Sequence, residues 1–173
     1  MDDLRRLIRD VPGFPRAGIV FKDITPLLAD PEGLAAAVER MAGRLARPEA
    51  VVAIESRGFV FGAGLALRWR VPLVLARKPG KLPARTVREA YALEYGEDAL
   101  EMHADALRPG QTVALVDDLL ATGGTALAAA RLVERLGGRV LGALFLVELA
   151  GLGGRERLAA YPVESLIRYE VSE

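Results

Sequence analysis

Residues Val113 to Thr125 read VALVDDLLATGGT, and this stretch indicates the fold class more clearly than any other part of the chain. It opens with four apolar residues of the kind found in strands that are buried on both faces of a sheet. Two adjacent acids, Asp117 and Asp118, come next, followed by a turn of small residues and then by a helical pattern. A buried strand that leads through such a turn into a helix predicts an α/β domain with a largely parallel sheet.

The same alternation of short apolar runs and longer helical ones extends to both sides of this stretch. Strands are predicted at Ala50 to Ile54, Pro72 to Ala76, Thr112 to Val116 and Arg139 to Leu149. Helices are predicted at Leu34 to Leu45, Phe59 to Trp69 and Thr125 to Leu136. The sequence has no repeat, low-complexity tract or linker, so we expect a single domain spanning residues 1–173. In such a domain the ligand site lies beyond the carboxyl ends of the strands.

Composition excludes several classes of function. The 173 residues include no cysteine, which removes disulfides, thiolate metal sites and cysteine nucleophiles. The 23 basic and 23 acidic residues balance, whereas a nucleic-acid-binding protein normally carries a basic excess. The sequence contains neither a signal-peptide pattern nor an apolar run long enough to span a bilayer. We therefore expect a cytoplasmic protein that binds neither nucleic acid nor membrane.

The turn after the two acids offers the groups of an anion site. Glycines let backbone N–H groups converge, threonines add hydroxyl donors, and the positive end of the following helix dipole points to the same place. The turn consists of Ala121, Thr122, Gly123, Gly124 and Thr125. Two carboxylates would repel a phosphate unless ribose hydroxyls or Mg²⁺ lay between them, so we expect a sugar phosphate with a vicinal diol. The alternative is a tight turn in which Asp117 and Asp118 cap the helix.

A second group of candidate residues follows the two preceding strands. Glu55 to Phe59 follows one of them, and Arg77 to Pro83 follows the other. Together these segments bring four cations to one edge of the sheet: Arg57, Arg77, Lys78 and Lys81. Fixed cations at that edge would stabilise the charge that develops on a leaving anion. The alternative is a solvated basic loop.

Val113 to Thr125 resembles the PRPP-binding motif of the type I phosphoribosyltransferases, in which two acids follow a buried strand and precede a small-Thr-Gly-Gly-Thr loop. These enzymes transfer ribose 5-phosphate from phosphoribosyl pyrophosphate (PRPP). The resemblance implies that Asp117 and Asp118 hold the ribose hydroxyls and that Ala121 to Thr125 hold the 5-phosphate. It also implies that Mg²⁺ arrives mainly with PRPP and has no protein ligand beyond the acidic pair. The implied fold is a mostly parallel sheet flanked by helices, with a small N-terminal hood and a flexible catalytic loop.

Other segments resemble the adenine phosphoribosyltransferases in particular. The stretch ESRGFVFG, which starts at Glu55, is similar to that family's acidic-Ser-Arg-Gly-Phe element, although the acidic position is often Asp there. The resemblance implies a cis peptide between Glu55 and Ser56. It also implies that the four cations bind pyrophosphate, with Arg57 acting in catalysis together with the acidic pair.

Phe14 to Asp23 resembles the hood of the same family, and we expect this hood to be contributed by residues 12–30. Ala17 stands where the family usually has a second proline. By resemblance, Val20, Phe21 and the backbone of Lys22 contact adenine. Matched backbone donors and acceptors can separate an amino purine from an oxo purine. The alternative is an arm that packs over the core.

Lys81 to Ala90 shows no periodicity, and we expect a mobile loop there. The following element, Ala90 to Gly96, resembles the catalytic flap of the adenine enzymes. The resemblance implies that Glu94 assists proton movement at the base and that Tyr95 covers the site, where closure would exclude water. The alternative is an ordinary β-hairpin with an exposed glutamate.

The resemblance covers Phe14 to Tyr169 and implies a homodimeric enzyme that makes AMP and pyrophosphate from adenine and PRPP in purine salvage. The apolar stretches Phe59 to Trp69 and Leu144 to Leu152 are candidates for the dimer interface. One alternative is an enzyme for another base, such as xanthine or guanine, which would differ in the hood and flap. Another is a PRPP-sensing regulator that binds nucleic acid, but such proteins need an added module or a basic face.

Overall fold

The structure is a computed structural model that describes residues 2–93 and 96–170. The strands in this part of the chain are β1 (Arg9–Pro12), β2 (Val20–Asp23), β3 (Ala50–Ile54), β4 (Leu73–Ala76), β5 (Thr86–Leu93), β6 (Gly96–His103), β7 (Thr112–Leu120), β8 (Arg139–Ala150) and β9 (Val163–Glu170). The helices are α1 (Asp2–Arg5), α2 (Thr25–Ala29), α3 (Pro31–Ala42), α4 (Gly58–Trp69), α5 (Gly124–Arg135) and α6 (Gly154–Arg157).

The centre of the molecule is a five-stranded parallel sheet in the order β4-β3-β7-β8-β9. Both faces of this sheet are covered. On β3, Val51 packs into a core with α3 and α4, whereas Val52 and Ile54 pack into a second core with α5 and the β5–β6 hairpin. The α/β class and the parallel sheet predicted from the sequence are therefore confirmed.

Each predicted strand and helix is present, with shifts at the ends. Strand β7 continues past the predicted end at Val116 because it pairs with the long strand β8 as far as Leu120, opposite Glu148. Helix α3 begins at Pro31 rather than at the predicted Leu34. Its first turn is fixed by the Asp30 side chain, which accepts a hydrogen bond of 2.7 Å from the Gly33 N–H.

The expectation of an aperiodic mobile loop over Lys81 to Ala90 is wrong from Thr86 onward. There the chain forms β5, which pairs with β6 in an antiparallel hairpin. The charged residue Glu89 interrupts the apolar alternation of β5. It nevertheless lies against α5, where the side chains of Arg131 and Arg135 pair with it.

Strands β1 and β2 form a separate two-stranded antiparallel sheet near the N-terminus. The segment 12–30, predicted as the hood, comprises the end of β1, the connection to β2, β2 itself and the short helix α2. None of the helices in the described ranges combines the length and the apolar character needed to cross a bilayer.

Candidate active site

A cavity of about 350 Å³ lies where the carboxyl ends of β3 and β7 meet. The strand that follows β3 in the chain, β4, is added on one side of the sheet, whereas β8 and β9 are added on the other side, next to β7. The strand order therefore reverses between β3 and β7. Ligands bind at such switch points in parallel α/β sheets. The residues around the cavity come from the three segments that follow or end the strands: Glu55, Ser56, Arg57, Lys78 and Asp117 to Ala126.

The two acids lie on the part of β7 that extends beyond β3. Strand β3 pairs with β7 only as far as Val116, so Asp117 and Asp118 lie beyond the paired part of the two strands. The glycine at position 58 makes room for them, because a Cβ there would lie 2.8 Å from Asp117 Oδ1 and 2.9 Å from the Val116 carbonyl oxygen. The carboxylates are therefore held on a strand rather than on a loop, which fixes their positions.

The two carboxylates differ in their surroundings. Asp118 is 6% exposed, and its carboxylate accepts a hydrogen bond from Nε of Arg57. Burial, followed by the neighbouring charge of Asp118, raises the pKa of Asp117 well above its usual range. Asp117 Oδ1 accepts a 2.8 Å hydrogen bond from the Asp118 N–H. A ligand that donates hydrogen bonds, or a cation, would relieve the repulsion between them.

The predicted anion turn leads directly into α5. Gly123, the residue before the helix, has a φ of 76°, a conformation that favours glycine. The first helical hydrogen bond runs from the Leu127 N–H to the Gly123 carbonyl oxygen, at 2.9 Å. Because the N–H groups of Gly124 to Ala126 precede that bond, they have no partner within the helix. These N–H groups and the helix dipole have the arrangement that the sequence predicts for an anion cradle.

The four predicted cations are near this edge but do not all reach the cavity. Arg57 and Lys78 line it, whereas Arg77 and Lys81 do not. Arg77 donates a 2.8 Å hydrogen bond to Oε1 of Glu55. This contact, joined by a 2.7 Å hydrogen bond from the Lys78 N–H, lowers the pKa of Glu55. The peptide between Glu55 and Ser56 is cis, as the family resemblance implies.

The Lys78 ammonium connects the cavity with the β5–β6 hairpin. It pairs with the Asp98 carboxylate and donates a 2.8 Å hydrogen bond to the Tyr91 hydroxyl. Tyr91 and Asp98 lie opposite each other in the hairpin. Burial alone would lower the pKa of Lys78, but its hydrogen bonds to these two residues raise it overall. Sequence reasoning missed Tyr91 and Asp98, because the sequence does not show the register that places them opposite each other.

The predicted base-binding residues lie on β2. The Phe21 ring is 5.4 Å from the guanidinium carbon of Arg57, measured to the ring centroid, which brings the hood close to the cavity. Phe14 packs edge-on against the same ring at 5.2 Å. Val20 is 48% exposed and is therefore available to a ligand. The side chain of Lys22 is engaged elsewhere, since its ammonium pairs with Asp10 at 2.7 Å. The predicted flap residues Glu94 and Tyr95 lie outside the described residues.

Comparisons with known proteins agree with this geometry. Residues 25–170 match the model of the family described as phosphoribosyl transferase domain. The chain is 53% identical to an adenine phosphoribosyltransferase of Desulfitobacterium hafniense over 96% of its own length and 98% of that protein. It is 54% identical to one of Anaeromyxobacter dehalogenans, covering 98% and 99% of the two chains. The crystal structure of an adenine phosphoribosyltransferase of Thermoanaerobacter pseudethanolicus superposes with a TM-score of 0.95, at 50% identity and 97% and 99% coverage.

Proposed function

The chain belongs to the phosphoribosyltransferase family, and we propose how its residues divide the work of the adenine-specific reaction, in which adenine and PRPP give AMP and pyrophosphate. This reaction returns a free purine base to the nucleotide pool. The observation that carries the division of roles is that the acid pair, the glycine turn and two of the cations line one cavity at the switch point of the sheet.

The turn from Ala121 to Thr125 binds the 5-phosphate. Its backbone N–H groups at the start of α5 and the hydroxyls of Thr122 and Thr125 supply the hydrogen-bond donors, and the turn itself contains no lysine or arginine. Asp117 and Asp118 accept hydrogen bonds from the two ribose hydroxyls. Together these contacts fix the sugar at both ends, so that its anomeric carbon is held in one position for attack by the adenine nitrogen.

Mg²⁺ fits the acid pair as a shared ion rather than as a resident one. Among the described residues, no group of three or more His, Cys, Asp or Glu side chains is placed to hold a metal ion. Mg²⁺ commonly keeps its waters and binds through one or two carboxylates plus substrate phosphates. Burial, followed by the charge of Asp118, raises the pKa of Asp117, and a cation bound beside the pair would favour the charged form of Asp117. When bound, Mg²⁺ would neutralise charge on PRPP, with Asp117 and Asp118 as its protein contacts.

The leaving pyrophosphate is held by Arg57 and Lys78, and Arg77 and Lys81 add positive charge behind them. Arg57 also acts in catalysis, since its cationic group stabilises charge as it develops on the leaving oxygens. Adenine lies against Val20 and Phe21, and the backbone of Lys22 reads its edge. Glu94 assists proton movement at the base, and Tyr95 covers it, on the flap between β5 and β6.

A homodimer would cover an exposed apolar face on and after α4. On and after α4, Val60 is 39% exposed, Leu67 is 80% exposed and Leu73 is 38% exposed. Exposed apolar residues that cluster in this way mark interaction surfaces. We assign this face, within the predicted interface stretch Phe59 to Trp69, to contact with a second copy of the chain.

The test is pyrophosphate release by the purified protein with PRPP and Mg²⁺, comparing adenine, hypoxanthine, guanine and xanthine. Release with adenine alone is the expected result and supports the roles given to the hood. Release with an oxopurine instead would overturn the roles of Val20, Phe21 and Lys22 but leave the PRPP site. The absence of release with any base would overturn the enzymatic assignment and favour a PRPP-binding regulator.

A further inference from the structure

The backbone of Gly154, at the start of α6, packs directly against the phosphate turn. A Cβ at Gly154 would lie 2.2 Å from the Ala121 carbonyl oxygen and 2.9 Å from Cδ1 of Leu120. In the other direction, a Cβ at Gly123 would lie 2.8 Å from the Gly154 carbonyl oxygen and 3.0 Å from its Cα. Backbone therefore meets backbone here, and neither position has space for a side chain. The place of the turn depends on the place of Gly154.

Gly154 is in turn fixed by its neighbour Arg155, which is bound to the sheet. The Arg155 guanidinium contacts the Glu148 carboxylate at both oxygens, with Nε–Oε1 at 3.0 Å and Nη2–Oε2 at 2.6 Å. It also donates a 2.7 Å hydrogen bond to the Val163 carbonyl oxygen at the start of β9. The Ser165 hydroxyl donates to Glu148 Oε2 at 2.6 Å. These contacts tie α6 to two neighbouring strands.

Glu148 lies next to the strand that leads into the Ala121 to Thr125 turn. It is 3% exposed and lies on β8 directly opposite Leu120, the last residue of β7 before the turn. A buried ion pair is weak evidence for stability, because desolvation offsets much of the attraction. A contact of Arg with both carboxylate oxygens is nevertheless strongly directional. The Arg155–Glu148 pair is therefore better suited to orient α6 than to stabilise its attachment to the sheet.

We propose that Glu148 and Arg155 are positioning residues for the reaction, which act through Gly154 to hold Ala121 and Gly123 in the geometry that binds the 5-phosphate of PRPP. The inference rests on the proposed role of the Ala121 to Thr125 turn. Displacement of a binding group by about 1 Å can lower activity by about 100-fold, so a small shift of the turn has a large effect. The effect falls on PRPP and AMP, which carry the 5-phosphate, and not on adenine or pyrophosphate, which lack it.

Two adjacent glycines provide a matched pair of variants. Gly153 has a φ of 75°, but no atom lies within 4 Å of a Cβ built there. Gly153→Ala therefore strains the backbone without touching the turn, whereas Gly154→Ala places a methyl group against the Ala121 carbonyl oxygen. We expect Gly154→Ala to raise KM for PRPP and the inhibition constant of AMP at least about 10-fold. KM for adenine and inhibition by pyrophosphate stay near the wild-type values, and Gly153→Ala lowers Tm only.

A second pair of variants keeps the test decisive if Gly154→Ala fails to fold. Glu148→Gln keeps the shape of the side chain and removes the charge that orients Arg155. Its control is Glu89→Gln, which removes a carboxylate paired with Arg135 far from the turn. We expect Glu148→Gln to raise KM for PRPP by about 3- to 10-fold, Arg155→Lys to do so less, and Glu89→Gln to leave KM unchanged.

The proposal is overturned if Gly154→Ala and Gly153→Ala change KM for PRPP equally, or if Glu148→Gln lowers Tm with no change in KM for PRPP. Thr125→Val separates this failure from failure of the proposed phosphate site, because it removes a hydroxyl donor from the turn itself. If Thr125→Val raises KM for PRPP and the Gly154 and Glu148 variants do not, only the positioning role is wrong. If none of these variants changes it, the phosphate role of the turn is wrong as well.

Discussion

Replacing Asp118 with Asn tests the assignment of the acid pair to the ribose diol. The substitution keeps the shape of a side chain that is 6% exposed but removes its charge and one acceptor oxygen. A hydrogen bond to a charged group contributes about 1.5–3 kcal/mol and a neutral one about 0.5–1.5 kcal/mol. The expected loss is therefore about 1–2 kcal/mol of transition-state stabilisation, which corresponds to about a 5- to 30-fold decrease in kcat/KM for PRPP.

The stability of Asp118→Asn should differ little from that of the wild type. Its partner Arg57 has a side chain that is 44% exposed, so water can replace the lost carboxylate at a cost of about 1 kcal/mol or less. Removal of the Asp118 charge also lowers the repulsion that acts on Asp117. Two changes of opposite sign thus act on the free energy of unfolding, and we expect Tm to change by only a few degrees.

The assay is steady-state pyrophosphate release with PRPP varied at saturating adenine, together with Tm for each variant. Asp30→Asn is the control, because Asp30 caps α3 away from the site and Asn is an equally good cap. It should leave both kcat/KM and Tm unchanged. A kcat/KM for Asp118→Asn within about 2-fold of wild type, where the loss expected from a charged hydrogen bond is larger, would refute the diol assignment.

The other predictions concern the second acid, the hairpin contact and the exposed face of α4. Because the pKa of Asp117 is higher in the folded state than in the unfolded state, its ionisation destabilises the fold as pH rises, and Asp117→Asn should raise Tm more at about pH 8 than at about pH 4. An equal gain at both would contradict this. Lys78→Ala and Asp98→Asn should each raise KM for PRPP by about 3- to 10-fold, and the double variant should be no worse than Lys78→Ala, because Asp98 acts through Lys78; additive losses would show independent roles. Leu67→Asp should convert the proposed dimer to a monomer in sedimentation experiments, and a wild-type chain that sediments as a monomer would contradict the assigned interface.

Sequence reasoning succeeded where local pattern and structure coincide. Strand β3 lies at its predicted bounds because all five of its residues are apolar and buried, and a glutamate lies at each end of it, Glu49 and Glu55. Reasoning of this kind failed where a charged residue faces inward. Glu89 interrupts the alternation of apolar and polar residues on β5, and Asp117 and Asp118 interrupt the apolar run before the end of β7. In both places the chain forms a strand because another strand pairs with it, and a local sequence pattern does not indicate that partner strand.

The candidate site shows the same division. The sequence located the cations and acids correctly at one edge of the sheet, because the carboxyl ends of parallel strands meet there. It could not identify which carboxylate pairs with each cation. Asp98 reaches Lys78 only through the register of the β5–β6 hairpin, and Gly154 reaches the phosphate turn only through the packing of α6. Such contacts depend on tertiary structure, and only coordinates reveal them.

If Arg57 and Lys78 bind pyrophosphate as proposed, their pairing with carboxylates does not block the anion. A guanidinium has five N–H donors and an ammonium has three. Among the described residues, Arg57 uses its Nε for Asp118, and Lys78 uses its ammonium for Asp98 and Tyr91, so each keeps donors for a pyrophosphate oxygen. The carboxylates that orient them lie on regular strands. Positive groups held in this way need little rearrangement as charge develops on the leaving group, which is the condition under which fixed dipoles and ions lower a barrier most.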